Sequence, residues 1–335
     1  MNLEKRKADI SFIRMCATVA IVTCHVMQYY DNVLCAWFNC GVQVFLFISG
    51  YLYSQKRSNA IDFYKKSLSK LLIDYWIYLV IILCAVRLLN IMPITKEMIV
   101  GLVTCSQQLP FLAHFWFLKT IIVCYFALPL LWWIFDSWEE KGTPWYLALI
   151  CVVLHIFIKR IAPVDYTPAW VETFILGVIF SRIEKMKKIH IVKIIIYLLC
   201  IIVNGIQIYY DYINLPMVGN WFANENNMVI YRSYGHLLMG VAITILVKDI
   251  YNKLQINAVW WNKLLKLSDK LSYDIYITHH AFCFLPFSIL ALFGEKSVAI
   301  VVYSVVVVVT AGMLNILSTY VRMILQRSLK RVHKF

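Results

Sequence analysis

The stretch ISFIRMCATVAIVTCHVMQYY, residues 10–30, decides the fold class. Apart from Arg14 and His25 it is an almost unbroken apolar run. Roughly 20 such residues in one α-helix cross a hydrocarbon core about 30 Å thick. The run is too long for a cleavable signal and lacks the small-residue pattern at which a signal is cut, so it is expected to stay in place as a first span.

Working outward, comparable runs recur at about 33–53, 71–92, 115–135, 145–162, 168–181, 191–210, 229–248, 270–293 and 298–322. Composition agrees, since 61% of the 335 residues are hydrophobic and only 15% are charged, with a mean hydropathy of +0.71. A water-soluble domain could not cover its surface with so little polar material. The expectation is an all-α, polytopic membrane protein of about ten helices, forming one domain over residues 1–335. No linker, low-complexity segment or internal repeat interrupts the pattern.

The formal net charge of +14 could signal nucleic acid, but its distribution points elsewhere. With the N-terminus inside, the cytoplasmic segments carry 24 of the 32 Lys and Arg, against Lys96, Lys159, Arg160, Arg232 and Lys296 outside. That asymmetry follows the positive-inside rule, with both termini cytoplasmic, a location in the cell membrane and no nucleic-acid partner. The ten cysteines include no C-x-x-C pair and no metal-ligand spacing, so no metal site is expected. Most fall inside spans, where a thiol behaves as a small apolar group.

Two loops stand out. The segment 54–70, SQKRSNAIDFYKKSLSK, reads as a basic cytoplasmic loop. The external loop 211–231, DYINLPMVGNWFANENNMVIY, has no Lys or Arg and mixes amides and acids with Trp221, Phe222 and tyrosines. It carries two readings of equal weight, an interfacial aromatic belt and a lid that stacks sugars on aromatic faces.

Charged side chains inside spans point to a lined cavity by default. Arg14 and His25 are eleven residues apart, three helical turns plus about 20°, so they share one helix face at a separation of about 16 Å. Alone, Arg14 would read as a snorkelling anchor and His25 as an interhelical hydrogen-bonding residue. Together they set a permanent cation on the inner side and a titratable base on the outer side. Ser49-Gly50 near the end of the second span permits close backbone approach, and Lys65, Lys66 and Lys70 follow where phosphates would arrive from the cytoplasm.

RMCATVAIVTCH at 14–25 followed by GVQVFLFISGYL at 41–52 resembles the acyltransferase 3 family of ten-helix membrane acyltransferases. HFWFLKTIIVCYFALPLL at 114–131, FILGVIFSR at 174–182 and LSYDIYITHH at 271–280 extend the likeness over nearly the whole chain. Many members have an acidic residue three positions before the arginine; here Ser11 stands there, with Asp9 nearby. The fused extracytoplasmic hydrolase-like domain of some members has no counterpart, so transfer is expected to finish within the membrane domain.

The resemblance implies an O-acyltransferase that takes an acyl group, usually acetyl, from cytoplasmic acyl-CoA. The acceptor would be a hydroxyl of an extracytoplasmic or lipid-linked saccharide. It matches Arg14 and His25 to the essential pair and Ser49 and Gly50 to the SG element, with the cytoplasmic lysines beside acyl-CoA. Acyl-CoA is then a substrate and no cofactor stays bound; membrane lipids surround the chain, and a homo-oligomer is compatible with it. His25 would act as general base or as acyl carrier. Lys119 is a choice for holding the oxyanion, with a snorkelling lysine as its plainer reading. Tyr276 and His279 share one face of the ninth span at (i, i+3) spacing and could line the same cavity, with His114 and Trp116 at its outer mouth and Trp221 in the lid. Asp31, Glu172 and Asp274 are the carboxylates closest in depth to His25. A transporter or flippase for a polar or lipid-linked solute is the rival reading, disfavoured by the missing repeat.

Arg14→Lys keeps the charge but loses the planar fork. Acyl-CoA affinity and turnover are expected to fall in this variant; unchanged values in a binding and kinetic comparison would reduce Arg14 to an anchor.

Overall fold

The computed structural model describes residues 3–55, 58–137, 146, 149–150, 152–153, 169–184, 186–187, 189–213, 225–254, 256 and 258–332. Its helices are α1 (Leu3–Tyr29), α2 (Cys35–Phe38), α3 (Gly41–Tyr53), α4 (Ala60–Leu88), α5 (Lys96–Val103) and α6 (Trp116–Ser137). They continue with α7 (Trp170–Ile183), α8 (Ile189–Ile213), α9 (Glu225–Leu254), α10 (Val259–Cys283) and α11 (Lys296–Val332). Single 3-10 turns lie at Pro110–Phe115 and Leu290–Leu292. No strand occurs among the described residues, and seven helices are long and apolar enough to cross a membrane.

Three expected spans fall outside those seven. The run 145–162 lies almost entirely outside the described residues, as does Trp221 of the supposed lid. The run 168–181 becomes α7, whose 14 residues extend only about 21 Å, less than a bilayer core. The run 270–293 is displaced: α10 starts at Val259 among Lys263, Lys266 and Lys270 and stops at Cys283, before Pro286, which cannot continue a helix.

The basic loop at 54–70 is also corrected. Asn59 caps α4, its side chain accepting from the Ile61 amide, and Asp62 sits in the first turn where the helix dipole favours it. Lys65, Lys66 and Lys70 therefore ride a helix, all three exposed. α1 runs unbroken, so Arg14 and His25 do occupy one continuous helix.

The chain divides into two compact units, each drawn from several segments. Unit 1 comprises residues 1–21, 36–58 and 123–262, and unit 2 residues 22–35, 59–122 and 263–335.

In unit 1, α3 and α7 pack backbone to backbone. A Cβ on Gly50 would lie 2.0 Å from the Phe174 carbonyl oxygen, and one on Gly177 would lie 2.0 Å from that of Phe47. Only glycine permits such an approach, the arrangement membrane helices use to gain dispersion contacts. Ile13, Phe47, Ile48, Phe180, Leu237 and Ile245 fill the core beside this crossing. Lys248, expected in a cytoplasmic segment, is buried because α9 runs on to Leu254. Its ammonium donates to the Tyr51 hydroxyl at 2.8 Å and pairs with Glu184, to which Tyr51 donates at 2.6 Å.

In unit 2, α4, α10 and α11 are joined by polar contacts. Arg322 pairs with buried Asp74 and donates to Ser318 at 3.1 Å, while Asn315 donates to Asp274 at 2.8 Å. Tyr273 donates to the Leu71 carbonyl at 2.8 Å and Tyr78 to the Thr278 carbonyl at 3.3 Å. Val26, Cys283, Leu290, Ala299, Tyr303 and Val307 make its buried apolar cluster. None of the nine described cysteines forms a disulfide, Cys35, Cys40 and Cys105 among them.

Gly50→Val forces a side chain into a carbonyl that cannot move, and overpacking of this kind destabilises by about 1–3 kcal/mol or more. The unfolding midpoint in detergent should drop. Gly205→Ala, where nothing lies within 4 Å of an added Cβ, should leave it unchanged or raise it.

Candidate functional site

Four histidines meet in unit 2: His25 near the end of α1, His114 on the 3-10 turn, and His279 and His280 on α10. The 3-10 turn starts at Pro110, which suits a first helical position. A turn this short leaves carbonyls unpaired, and α10 satisfies two of them. His280 Nδ1 lies 2.8 Å from the Phe111 carbonyl oxygen, and the Tyr276 hydroxyl donates to the His114 carbonyl. Tyr276 and His280, one helical turn apart, share the face of α10 that meets this turn.

The ring of His25 stands 4.9 Å from that of His279 and 4.7 Å from that of His280, centroid to centroid. His114 stacks on His280 at 4.6 Å and 14°, and meets His279 at 5.0 Å. One direct bond ties the group together: His25 Nδ1 and His279 Nε2 are 2.9 Å apart. His279 Nδ1 lies 2.8 Å from the Tyr276 carbonyl oxygen and 3.1 Å from that of Ile275. His279, His114 and His280 are 0%, 3% and 5% exposed, whereas His25 is only partly buried. Among the described residues no group of three or more His, Cys, Asp or Glu has the geometry to hold a metal ion.

The family model for an acyltransferase domain matches residues 7–316. The chain belongs to the acyltransferase 3 family. It is therefore a membrane acyltransferase, and its apolar helices are those of a multi-pass membrane protein. No curated protein and no solved structure matches it.

In this acyltransferase the residues singled out from sequence fall into two groups. His25, His114, Tyr276 and His279 converge, with the rings of His114 and Tyr276 at 5.0 Å. The others lie elsewhere. Lys119 is exposed on α6 and Trp116 is partly buried at its start, its ring against Phe117. Arg14 is partly buried in unit 1, close enough to Tyr125 for its charge to act on it. Ser49 is partly buried, and Gly50 serves the α3–α7 contact.

His280 was not singled out from sequence; neighbouring helical residues point about 100° apart, so spacing gives no sign that both rings face one site. Asp74 and Arg322 were not singled out from sequence, and nothing local announces their pairing across 248 residues. The ring facing His25 Nδ1 belongs to His279, and not to any of Asp31, Glu172 or Asp274.

Tyr276→Phe removes a side-chain hydrogen bond between α10 and the His114 carbonyl, a loss of about 0.5–1.5 kcal/mol. Thermal unfolding of the purified variant should show a lowered midpoint.

Proposed function

We propose that this acyltransferase transfers an acetyl group from cytoplasmic acetyl-CoA to a hydroxyl of an extracytoplasmic or lipid-linked saccharide, with His25 at the reacting centre. The observation that carries this reading is the position of His25, the partly exposed ring of an otherwise buried histidine cluster. An imidazole titrates near working pH and can accept and return a proton within one cycle.

In that cycle the acceptor hydroxyl gives its proton to His25 as its oxygen bonds to the thioester carbonyl carbon. Collapse of the tetrahedral intermediate breaks the carbon–sulfur bond, and the departing thiolate takes the proton back from His25. In an acyl-histidine route the ring nitrogen attacks the thioester and expels the thiolate; the acceptor oxygen then bonds to the acyl carbon as the His25 nitrogen leaves, and the thiolate takes the hydroxyl proton. The exposed lysines 65, 66 and 70 near the start of α4 suit the phosphates of CoA.

Ten spans, both termini in the cytoplasm and residence in the cell membrane complete the proposal, on the strength of the positive-inside asymmetry. The transporter or flippase reading draws no support from the family assignment.

Detergent-purified protein given acetyl-CoA and an envelope saccharide fraction should release free thiol and form an ester, and His25→Ala should lose at least about 10²-fold in rate while still folding. A folded His25→Ala protein that transfers at the native rate would remove His25 from the chemistry.

A further inference from the structure

We propose that His279 is the positioning residue of the reaction: it sets the tautomer of His25 so that the lone pair stands on Nε2. The inference rests on the reading of His25 as base or acyl carrier.

The argument is one of donors and acceptors. Backbone carbonyls only accept, so His279 Nδ1, lying 2.8 Å from one and 3.1 Å from another, must carry a proton. A neutral His279 then has no proton on Nε2, which can only accept. Its neighbour at 2.9 Å, His25 Nδ1, must therefore be the donor. With its single proton committed to Nδ1, neutral His25 presents an unprotonated Nε2. The opposite tautomer would set two nitrogen lone pairs against each other at 2.9 Å.

The direction of this chain originates in the backbone of α10, since residues 275 and 276 supply the carbonyls that orient His279. The same bond survives the cycle. When Nε2 takes the acceptor's proton, the Nδ1 proton of the imidazolium still points at an acceptor, and when the thiolate removes the Nε2 proton the starting tautomer returns. In other hydrolytic and acyl-transfer sites a carboxylate does this work. A neutral imidazole orients the base without burying a negative charge, whose removal from water costs several kcal/mol.

Three variants test the assignment. His279→Leu removes the acceptor, whereas His279→Gln keeps a side-chain oxygen able to accept from His25 Nδ1. We expect kcat of His279→Leu to fall about 10²-fold with KM for acetyl-CoA unchanged, and His279→Gln to recover at least tenfold of that loss. Stability should run the other way, because leucine suits an apolar core better than an amide. A merely structural histidine would instead make activity follow stability. Should the leucine variant not fold, His279→Asn, too short to reach His25, replaces it. Nitrogen-15 spectra of histidine-labelled protein, with His25→Ala to assign the signal, should show Nε2 of His25 as the unprotonated nitrogen. A protonated Nε2, a leucine variant with native kcat, or leucine and glutamine variants that are equally slow would overturn the role of His279. A His25→Ala protein with native turnover would instead overturn the underlying reading of His25, so the two failures are separable.

Discussion

The contact between His25 Nδ1 and His279 Nε2, 2.9 Å long, ties the end of α1 to α10 and orders the polar interior of unit 2. It sits in a bundle where water is excluded, so each polar group must find its partner within the protein or remain costly. α10 answers that constraint several times over. His280 and Tyr276 satisfy the 3-10 turn, and His279 bonds its own helix backbone on one side and α1 on the other. Of these side chains His279 is held at both ends, by its own helix and by a neighbour. Such a fixed arrangement is what an acid–base group needs, because proton transfer tolerates little positional error.

Unit 1 is built on a different device. The paired glycines 50 and 177 bring α3 and α7 into direct backbone contact. At the same ends of those helices Lys248, Tyr51 and Glu184 close a buried polar triangle. Neither is visible as chemistry, and both are means of holding helices in register where apolar side chains alone slide easily. The charged pair of unit 2, Asp74 with Arg322, does the same for α4 and α11. A buried ion pair of this kind contributes little net stability, but losing one partner strands the other.

The histidines illustrate how far local pattern reaches. Arg14 and His25 stood out because charge inside an apolar run is expensive, and helical geometry placed them on one face. His279 and Tyr276 stood out by spacing on a single helix. Helical spacing alone cannot bring α10 to α1, and no periodicity relates residue 25 to residue 279. Depth along the membrane normal, which every helix shares, says nothing of lateral neighbourhood, so it could not tell whether Asp31, Glu172 or Asp274 stands beside His25. Gly50, by contrast, was read correctly as a point of close approach, because absence of a side chain is a local property whose consequence is steric.

Residue order alone determined the class of the molecule. Apolar runs of membrane-crossing length and the Arg14–His25 spacing need only transfer free energies and the 3.6-residue turn, both of which act within one segment. The family follows from motifs that are themselves local. Tertiary structure alone decided which ring meets His25 and that the 3-10 turn is completed by α10. Those outcomes depend on hydrogen bonds between segments distant in sequence, formed because an apolar interior offers polar groups no other partner.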